Sequence, residues 1–350
     1  AGYWCSTAHV ISPPGIRSLA RPKRKAAAVV PIARANMANA VNGIQGVRVL
    51  EISYNETQEE DTMTKLSNYD TSRAVEALVK ESHRITPQDS PEVRSILLTL
   101  PQARFVYVEG QNIGVKVPGE HAYGHSGHFR LYTIANTPRP DDGGDVDIEL
   151  CVRRCFYIDE ISGEEYPGLA SNYLCDASPG DKITITGPYG DAFSMPRSND
   201  TNLLMIGTGT GIAPFRAFIQ HIYEKQPRWL GKVRLFYGAR SGTEKLYQND
   251  LKNDLANYYS RETFKAFEGL SNRPWMDKED TGLTQVLEDN AEEIWELMQD
   301  PKTHVYLAGL PKTAEAFYKA MGKITNSEAR WNWMREEMIE QKRWSELIYS

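Results

Sequence analysis

The chain has 350 residues and a formal charge of −6, enough sequence for two cores plus a terminal segment. The negative balance argues against a nucleic-acid binder. No apolar run reaches the ~18 residues of a membrane-spanning helix, so the protein is expected not to be integral to a membrane, with peripheral attachment left open.

Residues 1–50 contain no Asp or Glu, while six Arg and Lys lie between Arg17 and Arg34 and Arg48 follows. Such a segment resembles an organelle transit peptide. The alternatives are a basic disordered extension, or sequence upstream of a start at Met37. Charge reverses in EISYNETQEED, residues 51–61, which reads as a solvated linker. Residues 1–70 are therefore expected to be a largely irregular extension, dispensable for the chemistry argued below. The four cysteines, Cys5, Cys151, Cys155 and Cys175, lack the clustering of zinc or iron–sulfur ligands and suit a reducing compartment.

From 71 to 195 the texture is all-β. SILLTL, RFVYV, FRLYTIA, DIELCVRRCFY and DKITITG alternate with Gly, Pro and Asp turns, the pattern of a small antiparallel barrel. From 196 to 350 strands alternate with helices. LLMI precedes PFRAFIQHIYEK, KVRLFYGA precedes the helix-like LYQNDLKNDLANYY, and TFKAFEGL precedes TQVLEDNAEEIWELMQ. HVYLAGL then leads into TAEAFYKAMGKI. That alternation predicts a doubly wound parallel sheet, with its ligand at the carboxyl ends of the strands.

At the first of those ends, LLMIGTGTGIAPFRAF runs an apolar strand into three glycines and Pro214. Glycines let the backbone approach a ligand, Pro suits the first helical position, and the free N–H groups there attract an anion. Neither G-x-G-x-x-G nor a P-loop fits, because Ile212 stands where glycine is needed and no Gly-Lys-Ser/Thr follows.

RLYTIANTP (130–138) resembles the R-x-Y-S flavin motif of plant-type ferredoxin–NADP⁺ reductases. EGQNIGV (109–115), CVRRCFY (151–157), GLASNYLCD (168–176), GPYG (187–190), GTGTGIAPFRAF (207–218) and VYLAGL (305–310) follow in that family's order, so the likeness covers about residues 73–349. It implies a β-barrel FAD domain at 71–195 followed by a doubly wound α/β NADP(H)-binding domain at 196–350. The activity implied is electron transfer between NADP(H) and a one-electron carrier, ferredoxin or flavodoxin. A reductase subunit of an oxygenase or other larger redox complex is the alternative. A structural subunit that has lost turnover is a further one, which the intact GTGTG argues against. The setting implied is the cytoplasm, or the plastid stroma or another organelle if residues 1–36 are a targeting segment.

Residue by residue, the resemblance gives Arg130 to the flavin pyrophosphate, Tyr132 to stacking on the isoalloxazine, and Thr133, in place of the usual Ser, to a hydrogen bond near its N5. Leu131 lies between them. Cys151 lines the site, and Gly168, Leu169, Ala170 and Ser171 form the second phosphate contact, where Ser171 could equally cap a helix. Gly207, Gly209, Thr210, Gly211 and Gly309 fall to NADP(H), Arg153 to a basic position near the same pyrophosphate, and Ser271 and Arg273 to its 2′-phosphate. The family's following Lys/Arg-x-Tyr element has no clear match, and Arg240 rather than an acid follows strand KVRLFYGA. Tyr349 is expected to cover the flavin, although Ser350 follows it, and WSELIY could instead be a helix end. The family's Cys near the nicotinamide is Ala308 here. Its C-terminal Glu falls on Leu347, which leaves Glu346, one residue earlier, as the candidate for proton delivery.

Overall fold

The computed structural model describes residues 8–11, 69–100, 105–119, 128–138, 144–158, 163–190, 193–226, 228–271 and 281–349. Of the N-terminal segment, Ala8–Ile11 form strand β1. The other basic residues fall outside the described part. Tyr69 packs edge-on against Tyr189 at 5.0 Å, and the Tyr189 hydroxyl donates to Asp70 O, so the chain is seated on the barrel from residue 69.

Strands β2 (Val75–Arg84), β3 (Val93–Leu100), β4 (Asn112–Val117), β5 (His128–Thr133), β6 (Val146–Arg153) and β9 (Lys182–Tyr189) form an antiparallel sheet in the order β5-β4-β9-β2-β3-β6. Its two ends meet. Ile134 bridges Leu150, and the Ala135 N–H donates to Glu149 O at 2.8 Å, closing the barrel as the sequence pattern predicted. Ile96, Leu98 and Leu100, alternating along β3, are fully buried inside it. Between β6 and β9 the chain forms a hairpin, β7 (Phe156–Ile158) and β8 (Glu165–Pro167), and helix α1 (Leu169–Asp176).

Strands β10 (Asn202–Thr208), β11 (Val233–Ala239), β12 (Phe264–Leu270), β13 (Thr303–Gly309) and β14 (Trp344–Tyr349) run parallel, in the order β14-β13-β10-β11-β12, and β1 adds antiparallel to β14. One face, through Leu203, Met205, Val233 and Leu235, packs with helix α2 (Ile212–Gln220) and with the barrel residues Leu131 and Phe193. The other face is covered by α3 (Thr281–Asp289), α4 (Ala291–Gln299), α5 (Pro311–Ile324) and α6 (Glu328–Glu340). A sheet covered on both faces explains why LLMI and RLFY read as unbroken apolar runs. The chain moves outward from β10 to β11 and β12, then crosses back to β13. The switch point therefore lies at the ends of β10 and β13, where the glycine turn and Gly309 sit.

Three sequence readings are corrected. LYQNDLKNDLANYY is irregular, with only a 3₁₀ turn at Leu255–Tyr258. Tyr247 sits at φ 61°, and the Asn249 side chain takes up the Leu251 and Lys252 N–H groups while donating to Ile85 O of the barrel. Those side-chain bonds replace helical ones. TQVLEDNAEEIWELMQ breaks at Asn290 into α3 and α4, its amide donating to Val286 O. Pro214 is the third helical residue of α2 rather than the first, and the helix ends in a π turn at His221–Lys225. WSELIY, for which a helix end had been the alternative, is a strand, and helix α6, capped by Ser327 through the Arg330 N–H, was not read from the sequence.

Buried ion pairs join barrel and parallel sheet. Glu149 of β6 meets Arg216 of α2 at 2.9 Å and Lys252 at 2.7 Å, and Arg216 also donates to Ala135 O and Asp254. Glu109 meets His221 at 2.7 Å and accepts from Thr137. Burial opposes the charge on both carboxylates, but these partners outweigh it and hold both below the usual Glu range. A lowered folded pKa contributes stability that is fully present above the unfolded value of about 4.3 and is lost as pH falls through the folded value. Thermal stability is thus expected to fall off as pH drops below about 4, less steeply in Glu109→Gln. Melting curves across pH check this; an identical acid slope in that variant would show that Glu109 contributes nothing.

Candidate active-site cleft

Strand β5 supplies one wall of a cleft between barrel and parallel sheet. Leu131, Tyr132 and Thr133 from β5, Cys151 and Arg153 from β6, Ser171 from α1, Thr210 from the glycine turn and Tyr349 from β14 all line it, with Cys155 and Ala213. Eight sequence-predicted residues from five separate elements thus converge. None of the residues lining the cleft is Asp, Glu or His. Thr133 Oγ1 donates to Asn112 Oδ1 at 2.7 Å. Burial pushes the Cys151 thiol up to about 12 and raises Tyr349 further still, so both stay protonated.

Around the cleft, Arg130 Nε donates to His128 at 3.2 Å. Gly168 occupies the cap position of α1, with Leu169 exposed and Ala170 buried just after it. Ser171 is the third helical residue rather than the cap. Its hydroxyl donates to Gly168 O and accepts from the Cys155 N–H, tying the helix start to the end of β6. Beside it the hairpin exposes Phe156, Tyr157, Ile158 and Tyr166, with Tyr157 and Tyr166 stacked at 5.4 Å.

At the carboxyl ends of the parallel strands, Gly207 closes β10 against Ala308, and Gly209–Gly211 form a 3₁₀ turn into α2. Gly209 has φ +53°, and a Cβ there would meet nothing within 4 Å, so this backbone lies open to a ligand. A Cβ on Gly211 would lie 2.2 Å from Ala308 O. The Tyr237 hydroxyl holds the turn through Gly209 O at 2.9 Å, and Thr208 and Thr313 hydroxyls meet at 2.6 Å beside Gly309. Ser271 follows β12, its N–H on Ala239 O, outside the cleft. Arg273 and Ser350 lie outside the described residues. Arg240 is held by Glu244 through two bonds of 2.8 and 3.0 Å.

Glu346 does not reach the cleft. On strand β14 it shares a face with Trp344, bonded to the Trp344 indole at 2.6 Å and to the Tyr318 hydroxyl among Phe317, Trp331 and Trp344. Leu347 and Tyr349 occupy the cleft-side face. Residues three apart on a strand point to opposite sides, whereas on a helix they share one.

Residues 77–193 match the model of the oxidoreductase FAD-binding domain, and residues 205–319 that of the oxidoreductase NAD-binding domain. A ferredoxin–NADP reductase of Synechocystis sp. is 36% identical over 267 residues, 73% of this chain and 63% of that protein. The cyanelle ferredoxin–NADP reductase of Cyanophora paradoxa is 33% identical over 275 residues, 77% of this chain and 74% of that protein. The chain belongs to the ferredoxin–NADP reductase family. FAD and NADP(H) are the cofactors of this family of oxidoreductases, and electron transfer between NADP(H) and ferredoxin is its reaction. Among solved structures, a ferredoxin–NADP⁺ reductase from Plasmodium falciparum shares the fold with a TM-score of 0.59 at 18% identity, covering 80% of this chain and 98% of that one. No described helix is long and apolar enough to cross a membrane.

Proposed function

We propose that the cleft binds the flavin of FAD and that the glycine turn beside it binds the pyrophosphate of NADP(H), in a ferredoxin–NADP⁺ reductase. The observation that carries this is the convergence of Tyr132, Thr133, Arg153, Ser171, Thr210 and Tyr349 on one cleft. The residues suit the group in chemistry: aromatic faces, hydroxyls, cations and open backbone, with no carboxylate to repel a phosphate. When bound, FAD converts between two-electron hydride exchange and one-electron transfer. Tyr132 offers its ring as a stacking wall, while Arg130, Arg153 and Ser171 supply phosphate donors. The exposed aromatics of the hairpin suit the adenine end. Gly207, Gly209, Thr210 and Gly211 present backbone N–H groups to the nicotinamide dinucleotide at the start of α2, with Gly309 opposite. Ser271 and Arg273 remain the proposed 2′-phosphate contacts, since Arg240 is already bound to Glu244. Glu346 is assigned to packing, so hydroxyls rather than a carboxylate handle hydrogen bonding in the cleft. Ferredoxin or flavodoxin exchanges electrons with the flavin one at a time. Free cysteines and a cyanelle relative support a reducing compartment, the cytoplasm or a plastid stroma.

Stopped-flow comparison of flavin reduction by NADPH and NADH, with ferredoxin as acceptor, tests the reading. Protein that holds no FAD, or whose reduced flavin ignores ferredoxin, would overturn it.

Tyr349 carries a separate prediction. Tyr349 lines a cleft that encloses only about 40 Å³. Its ring therefore holds the place that a nicotinamide would take. Aromatic stacking is worth about 0.5–1.5 kcal/mol beyond area burial, so Tyr349→Ser is expected to tighten NADP⁺ about threefold to tenfold and to slow turnover by retaining the nicotinamide. Titration of the flavin spectrum with NADP⁺ reads this, and unchanged affinity would show that Tyr349 is not the cover.

A further inference from the structure

Thr133 has one proton to give and two lone pairs. Its hydroxyl donates to Asn112 Oδ1 at 2.7 Å, so the proton is committed away from the cleft. What Thr133 keeps for the cleft that it lines is a lone pair.

Asn112 is the direct cross-strand partner of Thr133 in the β4–β5 pairing and is fully buried. Its Nδ2 has no hydrogen-bond partner among the described residues. An unsatisfied buried donor is destabilising, so the amide is retained for its oxygen.

We propose that Asn112 is a positioning residue that fixes the Thr133 hydroxyl as a hydrogen-bond acceptor toward the flavin and thereby raises the reduction potential of the bound cofactor. The inference rests on the cleft being the flavin site. Reduced isoalloxazine carries an N–H at N5 where the oxidised ring carries a lone pair, so a fixed acceptor favours the reduced ring and a free hydroxyl would serve the oxidised one. In Asn112→Leu the side chain keeps its size, the orphaned nitrogen disappears, and the Thr133 proton is released to turn toward the cleft.

The experiment is a spectroscopic redox titration of the FAD-loaded protein as wild type, Asn112→Leu, Thr133→Ser, Thr133→Val and the Asn112→Leu/Thr133→Val double variant, with melting temperatures alongside. Asn112→Leu is expected to shift the oxidised-to-reduced equilibrium about tenfold toward the oxidised flavin, roughly 30 mV for a two-electron couple, while its melting temperature holds or rises. Thr133→Val should shift it the same way, Thr133→Ser should match wild type, and the double variant should show no more than Thr133→Val alone. An unchanged or higher potential in Asn112→Leu would overturn the proposal, as would a shift that persists undiminished in the Thr133→Val background. If Asn112→Leu does not fold, the Thr133 pair decides: a potential that rises in Thr133→Val means the hydroxyl was donating, and the proposal fails. A wild-type protein that takes up no flavin would instead defeat the reading of the cleft itself.

Discussion

Arg216→Met is expected to destabilise the protein by about 3–5 kcal/mol, the range for breaking a buried ion pair from one side. The Arg216 guanidinium is nearly inaccessible and meets four acceptors or faces: Glu149 Oε2, Asp254 Oδ2, Ala135 O and the Tyr247 ring, 4.5 Å from its centre. Met fills much of the volume and leaves the Asp254 carboxylate without the bond it makes now. Lys252 and Ser95 still hold Glu149, so the lower part of the range is the natural expectation. The loss should extend to the flavin, because Ala135 O, two residues beyond Thr133, is one of the groups released. Urea unfolding of the loaded protein and of Arg216→Met/Glu149→Leu separates the contributions. Replacing both ends by apolar side chains should recover part of the loss. A single variant as stable as wild type would mean that the Arg216 cluster adds nothing to holding barrel and parallel sheet together.

Gly211→Ala is expected to spare the flavin and damage the nicotinamide site. A methyl there lies 2.2 Å from Ala308 O and 2.5 Å from its carbonyl carbon, both backbone atoms of β13 that cannot step aside. Overpacking of this kind costs about 1–3 kcal/mol, and relief requires the glycine turn to lift from β13. A displacement of about 1 Å in a positioning element can cost on the order of a hundredfold in rate. NADPH-dependent dye reduction should therefore fall about tenfold to a hundredfold, mostly through KM, with FAD content unchanged. Gly209→Ala makes the contrast: its Cβ meets no protein atom within 4 Å, so its cost is backbone strain of about 1–2 kcal/mol plus a methyl set where the cofactor would lie. Normal NADPH kinetics in Gly211→Ala would show that the turn does not carry the dinucleotide.

Much of this architecture is legible in the sequence because two periodicities write it. Alternation along SILLTL marks the barrel wall, and unbroken apolar runs such as LLMI mark strands covered on both faces. The glycine turn was readable because its chemistry is local: a backbone that must approach a ligand needs glycine whatever the rest of the chain does. What escaped is set by tertiary contact. LYQNDLKNDLANYY has helical spacing, yet Asn249 bonds to Ile85 of the barrel, a residue 164 positions away, and Tyr247 lies between two cations. Glu346 was misplaced for a geometric reason. It is the acid nearest to Leu347, where the family's C-terminal Glu falls, and on the strand fixed by parallel pairing with β13 a shift of one residue turns the side chain to the opposite face. Asn112 could not be singled out at all, since its importance rests on a partner across the sheet rather than along the chain.

The separation of faces on β14 makes the protein its own reporter. Trp344 lies on the strand that ends in Tyr349 but faces away from the cleft, 5.6 Å from Trp331 and with its indole N–H on Glu346. Any movement of Tyr349 that carries the strand with it must change the polarity and ring contacts around that indole. A rotation of the Tyr349 side chain alone would leave them untouched. Tryptophan emission, selected by Trp344→Phe difference spectra, can thus distinguish a swinging side chain from a shifting backbone during cofactor exchange, with no label placed in the site.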